Sequence, residues 1–584
     1  MTHRVLSLLT TALTALVAPA IARTDVPPRP PAPARMAQAA RPNVIVILAD
    51  DMGFSDVGSY GGEIATPHLD ALAAGGIRFT QFYNSARCSP SRAALMTGIY
   101  PHEAGMGHLE GTAEPTSRGL RGRLSDRAVT IAQVLKPAGY FTGMAGKWHL
   151  GTAPETSPPA RGFDRSITLP GGIYFRDQPT TRKAAIDGKR VPLTSLQVGP
   201  NGWYGTDLLV DWTSRFVREA GDRRQPFFLY LPFVAPHFPV MAPADEIARI
   251  KGRYRSGWDA LRAARLARQK TLGLIDPRTK LPPLLDENYD WNRLSSADKE
   301  RFDTMMTVYA AAITRMDRAI GRLVADLASR GELDNTLILF MSDNGGTAEG
   351  GPDGRTIGSP LGGATSTLMT GLNWATLQNA PFRYFKSFTH EGGIATPLIA
   401  HWPKGIATAM RGTLVRDPGH LIDVMPTVVA LSGASYPARY GAHAILPMKG
   451  RSFAPAFTGQ RLTRGEPIFW EHEGHRAIRD GQWKLVARRG MPWELYDMTV
   501  DRTETRDLAG ADPVIVQRMA GQWDAWAARS FVDPWQGKEN AGVFKGRLEG
   551  GGWRRRTLAG LALLVTAITA LLAVLWWRRR TVAA

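Results

Sequence analysis

The sequence predicts an α/β fold: a mixed, mostly parallel sheet sandwiched by helices, a small antiparallel lobe and a C-terminal transmembrane helix. The first observation is that short apolar runs alternate with helical patterns from Pro42 onward. Beyond about Pro467 the pattern changes to closely spaced short strands. The third observation is an uncharged apolar run at residues 558–577, which is about as long as a bilayer is thick.

The predicted strands are apolar runs of strand length, and the predicted helices between them have apolar residues at helical spacing. The strands of the main sheet are expected at residues 44–48, 227–233, 336–341 and 397–402. The helices around it are expected at residues 67–74, 129–135, 297–328 and 420–431. The strands of the C-terminal lobe are expected at residues 468–470, 477–479, 484–486 and 494–497.

Both ends of the chain contain predicted targeting segments. An apolar run at residues 5–20 leads into Ala20-Ile21-Ala22, which has the small-x-small pattern of a signal-peptidase site. The Pro- and Ala-rich stretch that follows disfavours a buried N-terminal helix. We therefore expect an exported protein at the periplasmic face, anchored in the inner membrane by residues 558–577. A removable sorting signal in place of the C-terminal anchor is the alternative.

The chain of 584 residues is too long for one hydrophobic core, so a large domain with a smaller appendage is expected. The expected segments are a signal peptide (1–22), a spacer (23–41), a catalytic domain (42–465), an antiparallel subdomain (466–535), a linker (536–557), a transmembrane helix (558–577) and a basic tail (578–584).

The composition, with 44% hydrophobic and 21% charged residues, is that of a globular protein and excludes a disordered or fibrous one. The net charge of +19 is compatible with nucleic acid, anionic lipid or an anionic substrate. Export and the lack of a basic motif with interleaved aromatic residues oppose nucleic-acid binding.

The single cysteine, Cys88, cannot form an intramolecular disulfide. A lone cysteine commonly fills a small apolar site, but no apolar face includes position 88. Ser89 can cap a helix and Pro90 suits a first turn, which would place Cys88 at the positive end of a helix. The pattern indicates a reactive group in an anion-binding environment.

Side chains with carboxylate or amide oxygens follow two of the predicted strands. Asp50 and Asp51 come after the strand at 44–48, and Asp343 and Asn344 come after the strand at 336–341. Ligands of open α/β sheets bind beyond the carboxyl ends of the strands, so these two pairs are expected to converge. They offer only oxygen donors, which favours Ca²⁺, with Mg²⁺ as the alternative, over zinc.

Three further segments contain basic or imidazole side chains. Lys147 and His149 lie two residues apart in Gly146-Lys147-Trp148-His149, and an extended chain would turn both to the same side. His237 follows the strand at 227–233 within Ala235-Pro236-His237-Phe238-Pro239. Lys386 lies in the block at residues 381–393.

Cys88-Ser89-Pro90-Ser91-Arg92 resembles the Cys-x-Pro-x-Arg signature of the sulfatase family, and the blocks around Lys147 and Lys386 resemble those of bacterial arylsulfatases. The resemblance implies an alkaline-phosphatase-like fold and hydrolysis of sulfuric esters through a sulfated formylglycine. It also implies a separate maturation enzyme that oxidises Cys88 to formylglycine. The hydrate of this aldehyde has two hydroxyl groups, and the second can expel sulfate after the first has been sulfated.

The resemblance also implies a role for each residue at the site. The metal ligands would be Asp50, Asp51, Asp343, Asn344 and an oxygen of the modified Cys88. Arg92 would hold the aldehyde hydrate, and Lys147 and Lys386 would bind the sulfate group. His149 would act as the base for sulfate release, His237 as the acid for the leaving alcohol, and Asp343 also as the base for the attacking hydroxyl.

Two other functions remain open from the sequence. A phosphonate or phosphate ester hydrolase on the same fold could use the same nucleophile and metal. An inactive membrane-bound receptor for anionic polymers would agree with the basic charge, but the complete set of chemistry-bearing residues opposes it. Five histidines belong to no motif and are expected in packing or surface roles: His68, His102, His108, His401 and His472.

Overall fold

The central sheet organises the chain in the computed structural model, which describes residues 41–196 and 202–535. The strands of the described residues are Asn43–Ala49 (β1), Ile77–Tyr83 (β2), Phe141–Gly146 (β3), Arg165–Thr168 (β4), Ala184–Ile186 (β5), Lys189–Val191 (β6), Phe227–Pro232 (β7), Thr336–Ser342 (β8), Arg355–Ile357 (β9), Thr367–Met369 (β10), Ala395–His401 (β11), Leu414–Val415 (β12), Gly419–His420 (β13), Arg439–Tyr440 (β14), His443–Ala444 (β15), Ile468–His472 (β16), His475–Asp480 (β17), Trp483–Ala487 (β18) and Glu494–Asp497 (β19). The α-helices are Pro67–Gly75 (α1), Cys88–Thr97 (α2), Ile131–Leu135 (α3), Gly205–Asp222 (α4), Ala244–Ile250 (α5), Gly257–Thr271 (α6), Ser296–Ser329 (α7), Gly371–Gln378 (α8), Glu391–Ile394 (α9), Val424–Ser432 (α10) and Pro513–Arg529 (α11).

The main sheet has 11 strands in the order β12-β2-β11-β8-β1-β7-β3-β4-β5-β6, with β13 also paired to β2. Its centre is parallel: β1 pairs with β8 on one side and with β7 on the other, and β3 continues the parallel run. β11 is antiparallel to both β8 and β2. The mixed, mostly parallel sheet that the sequence predicts is therefore confirmed.

Both faces of the sheet are buried, as expected for parallel strands covered by helices. Along β1, Ile45 and Ile47 belong to one hydrophobic core, whereas Val44, Val46 and Leu48 belong to the other. Helices α1, α4 and α7 pack together beside the first core, and α2, α3 and α10 pack together beside the second. This sandwich leaves the strand ends as the place where polar side chains gather.

The four short strands predicted near the C-terminus form an antiparallel sheet in the order β16-β17-β18-β19. Helix α11 packs against it, and the ring of Trp526 stacks on Phe469 with 5.0 Å between the ring centroids. A buried ion pair connects this sheet to α9, which leads directly into β11 of the main sheet, because Lys484 Nζ lies 3.0 Å from Glu391 Oε1. The domain boundary placed at residue 465 stays a prediction.

The fold class predicted from the sequence has to be corrected, because it included a transmembrane helix. Within residues 41–196 and 202–535, the structure contains no helix that is both long enough and apolar enough to span a bilayer. Helix α7 has 34 residues but includes charged side chains such as Asp298, Lys299 and Glu300. The predicted span at 558–577 lies outside the described residues, as do the signal peptide, the linker and the basic tail.

Candidate active site

Polar side chains follow four neighbouring strands at one edge of the sheet. In the order β8-β1-β7-β3, they are followed by Asp343, Asp50, His237 and Lys147. The backbone N–H of Asp343 donates to Ala49 O at 3.1 Å, and that of Asp50 donates to Ala235 O at 3.1 Å. The pairing of parallel strands therefore brings together residues that are far apart in sequence.

Cys88 is the first residue of α2, 2% exposed, at the positive end of the helix. The predicted cap at Ser89 is wrong, since the N-cap residue is Arg87 and its side chain makes no capping hydrogen bond. The hydroxyl of Ser89 instead accepts a hydrogen bond from the backbone N–H of Glu110 at 3.1 Å. Pro90 lies in the first turn, as predicted.

Two buried cations neutralise the carboxylates that follow β1 and β8. Lys147 Nζ lies 2.7 Å from Asp50 Oδ2. Arg92 donates from Nε and Nη2 to Asp343 Oδ2 at 3.0 and 2.7 Å, and its Nη2 is 3.6 Å from Asp50. Its Nη1 donates to the backbone oxygen of Lys147 at 2.7 Å. Arg92 therefore fixes the relative positions of α2, β8 and the segment after β3.

Asp51 has a left-handed backbone, with a φ of 64°, and its side chain contacts a different set of groups. Lys386 Nζ donates to Asp51 Oδ2 at 2.8 Å, and Asn344 Nδ2 donates to Asp51 Oδ1 at 2.7 Å. His237 Nε2 lies 3.5 Å from Asp51 Oδ2. These contacts place both predicted lysines and His237 beside the acidic pair that follows β1.

His149 reaches the site from a turn. Strand β3 ends at Gly146, and His149 has a positive φ of 60°, so the segment is not the extended chain considered from the sequence. Burial, reinforced by the charge of Lys147, lowers the pKa of His149 well below its usual value. Burial also lowers the pKa of His237, although Asp51 opposes that shift. Without a bound substrate, both rings are therefore neutral at neutral pH.

The acidic groups titrate differently from one another because they share a buried space. Burial alone would raise the pKa of Asp50, but the charges of Lys147 and Arg92 hold it well below its usual range. Burial and the neighbouring Asp50 carboxylate raise the pKa of Asp343 to about 7, although Arg92 opposes the shift. Burial raises the pKa of the Cys88 thiol to about 12. An unmodified Cys88 is therefore uncharged at neutral pH, which makes it a poor nucleophile.

The site has the donors that a hard divalent cation requires. Asp50, Asp51, Asp343 and Asn344 are all fully buried. Asp50 Oδ1 and Asn344 Oδ1 have no hydrogen-bond partner among the described residues, which is costly unless a ligand binds them. Ligand atoms of Asp50, Asp51, Cys88 and His237 lie within 4.8 Å of one another. Oxygen donors of this kind fit Ca²⁺ or Mg²⁺.

Sequence reasoning missed two charged residues beside the nucleophile position. Arg87 Nη2 lies 3.5 Å from Glu349 Oε1, and Lys386 Nζ lies 3.4 Å from Glu349 Oε2. Arg87 also donates to Ser387 Oγ at 2.7 Å. Glu349 lies in a loop after β8 with no recognisable motif around it, so only the fold shows its proximity to Lys386.

Comparison with known proteins agrees with this geometry. A family model described as Sulfatase matches residues 42–434, and one described as N-sulphoglucosamine sulphohydrolase, C-terminal, matches residues 381–520. An uncharacterised sulfatase of Schizosaccharomyces pombe is 34% identical over 554 residues, covering 88% of this chain and 98% of the relative. The arylsulfatase of Klebsiella aerogenes is 36% identical over 443 residues, covering 72% of this chain and 93% of the relative.

The crystal structure of Ps i-CgsB in complex with k-i-k-neocarrahexaose superimposes with a TM-score of 0.64 at 28% identity, covering 87% of this chain and 98% of that one. The chain therefore belongs to the sulfatase family. It is a sulfuric ester hydrolase, which confirms the enzyme class predicted from the motifs.

Proposed function

We propose that the residues gathered at this sheet edge are the catalytic centre, with Cys88 acting after its oxidation to formylglycine by a separate maturation enzyme. The observation that carries the proposal is the position of Cys88 at the start of α2, within 4.8 Å of ligand atoms of Asp50 and Asp51. The high pKa of the thiol supports a modified side chain, because a neutral buried thiol has no nucleophilic advantage. The hydrated aldehyde would supply one hydroxyl for attack and a second for sulfate release.

The proposed metal ligands are Asp50, Asp51, Asp343, Asn344 and an oxygen of the modified Cys88. Every donor is an oxygen, which fits a hard divalent cation. Calcium is the proposed ion, and magnesium is the alternative. A bound cation would polarise the sulfate oxygens and lower the pKa of the hydroxyl at position 88. The unpartnered oxygens of Asp50 and Asn344 support this assignment.

Three cations are proposed to orient the nucleophile and the sulfate group. Arg92 holds the hydrate at position 88, which is consistent with its location four residues further along α2. Lys147 and Lys386 bind sulfate oxygens from the two sides of the acidic pair. Fixed positive charges in a buried site stabilise the extra charge of the transition state without reorganisation.

Proton transfer is assigned to three side chains. Asp343 takes the proton of the attacking hydroxyl, which agrees with its raised pKa. His237, once the negative charge of a bound sulfate ester has favoured its protonated form, donates a proton to the alcohol or phenol oxygen as the bond from sulfur to that oxygen breaks. His149 removes the proton of the second hydroxyl, so that the aldehyde re-forms and sulfate leaves.

The proposed substrates are aryl sulfates, because the Klebsiella relative is an arylsulfatase. Export remains part of the proposal on the basis of the apolar N-terminal run and its cleavage pattern.

The test combines chemical identification of the side chain at position 88 with a measurement of turnover. Mass spectrometry of the peptide that contains residue 88, from protein made in a host with a maturation enzyme, should show the mass of formylglycine. The same protein should hydrolyse a chromogenic aryl sulfate faster than its phosphate analogue, and Cys88→Ala should be inactive with an unchanged circular dichroism spectrum. An active protein with an unmodified thiol would refute the assignment of the nucleophile.

A further inference from the structure

A second group of metal-binding side chain types lies outside the proposed catalytic centre. His108 belongs to the loop after α2, while His472 ends β16 and Glu473 forms the turn to β17. Each offers one ligand atom, and these atoms lie within 4.8 Å of one another. The three side chains are almost completely buried, at 2%, 0% and 6% exposure in that order. Only the folded chain brings them together.

The hydrogen bonds of His108 show which of its ring nitrogens holds a proton. His108 Nδ1 lies 2.8 Å from Thr112 Oγ1, and the Thr112 hydroxyl donates its only hydrogen to Leu109 O. Thr112 must therefore accept, so Nδ1 of His108 is the donor. The other nitrogen, Nε2, faces Glu473 Oε1 at 2.8 Å. In a neutral His108 this contact would bring two lone pairs together with nothing between them.

His472 directs a second lone pair toward the same oxygen. Its Nδ1 lies 3.4 Å from Gly107 O, which can only accept, so the proton of a neutral ring is on Nδ1. Its Nε2 has no hydrogen-bond partner in the part of the chain that the structure describes and lies 3.7 Å from Glu473 Oε1. A buried, unsatisfied ring nitrogen of this kind requires an explanation.

We propose that His108 Nε2, His472 Nε2 and Glu473 Oε1 bind a divalent transition-metal ion of the zinc type. Two imidazoles and one carboxylate are an established donor set for zinc, with the fourth position left to water or another ligand. Imidazole nitrogen selects zinc-type ions over calcium, so this site and the all-oxygen centre favour different metals. The hydrogen bonds from both Nδ1 atoms fix the rings as they do in known histidine–metal sites.

The bound ion would connect two segments beside the nucleophile position. The loop that contains His108 is already bonded to α2 through Glu110 and Ser89, and Glu473 belongs to the antiparallel sheet. The ring of Trp535 stacks on His108 with 4.7 Å between the ring centroids and covers one side of the group. The ion would therefore cross-link the C-terminal sheet to the loop next to Cys88.

The competing arrangement is a protonated His108 in an ion pair with Glu473, which leaves His472 Nε2 without a partner. Titration of the full chain with Co²⁺, in excess Ca²⁺, distinguishes the metal site from this ion pair. The metal site should give one tightly bound Co²⁺ per chain with the visible absorption of a four-coordinate ion, and Zn²⁺ should displace it. The band should persist in a Cys88→Ala background, which excludes the thiol as the ligand and makes the result independent of the proposed nucleophile.

His472→Ala should abolish the band and weaken Zn²⁺ binding by more than the 10–100-fold that is typical for outer-shell changes. Glu473→Gln should do the same while preserving the side-chain volume, and it serves as the second variant if His472→Ala fails to fold. His401→Ala is the matched control, because His401 is also buried but ends β11 and has no claim to the site. No absorbing Co²⁺ in the wild type, or an unchanged band in a folded His472→Ala or Glu473→Gln, would overturn the metal site in favour of the ion pair.

Discussion

Lys147 Nζ and Asp50 Oδ2 form a 2.7 Å ion pair between the ends of β3 and β1, two strands that are separated by β7. Asp50 is fully buried and Lys147 is 5% exposed, so the pair has little access to water. Burial alone would lower the pKa of Lys147, but the negative charge of Asp50 outweighs it and raises that pKa. The two side chains therefore stay charged because of one another.

Lys147→Met should destabilise the metal-free protein by about 3–5 kcal/mol, because it leaves the Asp50 charge buried without its partner. Excess Ca²⁺ should reduce the loss, since a bound cation would replace the missing charge. The value of kcat/KM for an aryl sulfate should fall by roughly 10²–10³, as for the loss of one fixed charge-stabilising donor. Denaturant unfolding with and without chelator, together with steady-state kinetics, measures both effects.

The control for that variant is Lys136→Met. Lys136 pairs with Asp164 at 2.7 Å, but its side chain is 51% exposed. An exposed pair contributes at most about 1 kcal/mol, so stability and turnover should hardly change. Equal losses in the two variants would contradict a special role for the buried pair.

Gly146→Ala should disturb the backbone that positions Lys147. A Cβ at Gly146 would lie 1.9 Å from Pro232 O, the same oxygen that accepts the Lys147 N–H at 2.8 Å. The φ of 146° adds strain for any side chain. We expect a loss of more than about 2 kcal/mol and a lower kcat. Gly139→Ala has a positive φ of 84° but no atom within 4 Å, so it should show only the strain, about 1 kcal/mol.

Removal of the proposed calcium ion should lower the melting temperature of the wild type. A ligand that binds only the folded state stabilises it by about 2.7 kcal/mol at a hundred times its Kd. Asp51→Asn removes a buried carboxylate from the proposed oxygen cluster, so the difference between Ca²⁺ and chelator should largely disappear. Differential scanning calorimetry with EGTA, Ca²⁺ and Mg²⁺ measures the size of the stabilisation and shows which of the two ions stabilises the protein more. An equal calcium effect in Asp51→Asn and wild type would contradict the assignment.

Acid should destabilise the protein partly through His420, a buried residue whose ring packs against Tyr100 and Trp470. Burial, helped by the charge of Arg464, lowers the pKa of His420 from 6.5 to about 3. The unfolded chain binds this proton below about pH 6.5 and the folded protein does not, so stability falls as pH drops from about 6.5 to 3. At 1.36 kcal/mol per pKa unit, this one group contributes several kcal/mol.

His420→Asn tests this contribution, because an amide oxygen can still accept the hydrogen bond from the Ile422 N–H that His420 Nδ1 accepts at 3.2 Å. The variant should be somewhat less stable than the wild type at pH 7, since the smaller side chain leaves a void. Its stability should fall less steeply between pH 7 and 4.5 in denaturant titrations. His443→Asn, at an exposed position, provides the baseline slope.

Much of the fold and many of the candidate site residues could be predicted because the signals are local. Asp50 and Asp343 follow apolar runs of strand length, and the pairing of Ala49 with Ser342 in parallel register makes them neighbours. Lys147, His237 and Lys386 lie in short blocks with recognisable composition. In each case the recognisable residues and the strand end or loop that positions them are only a few residues apart in the sequence.

Contacts between distant segments could not be predicted in this way. Ser89 suits a cap position, but its hydroxyl accepts from the Glu110 N–H, and helix α2 begins at Cys88, two residues earlier than a cap at Ser89 would require. Glu349 reaches Lys386 from a loop without a motif. His108 and His472 looked unremarkable one at a time, and only the tertiary fold brings their rings together.

The burial of Cys88 would restrict when its proposed oxidation can take place. At 2% exposure, as the first residue of α2, its side chain is closed to a macromolecule once the chain has folded. The proposed maturation enzyme would therefore have to act on the nascent or unfolded polypeptide. The timing of chain collapse would therefore decide how many molecules become active, and a variant that folds too early would be stable but permanently unconverted.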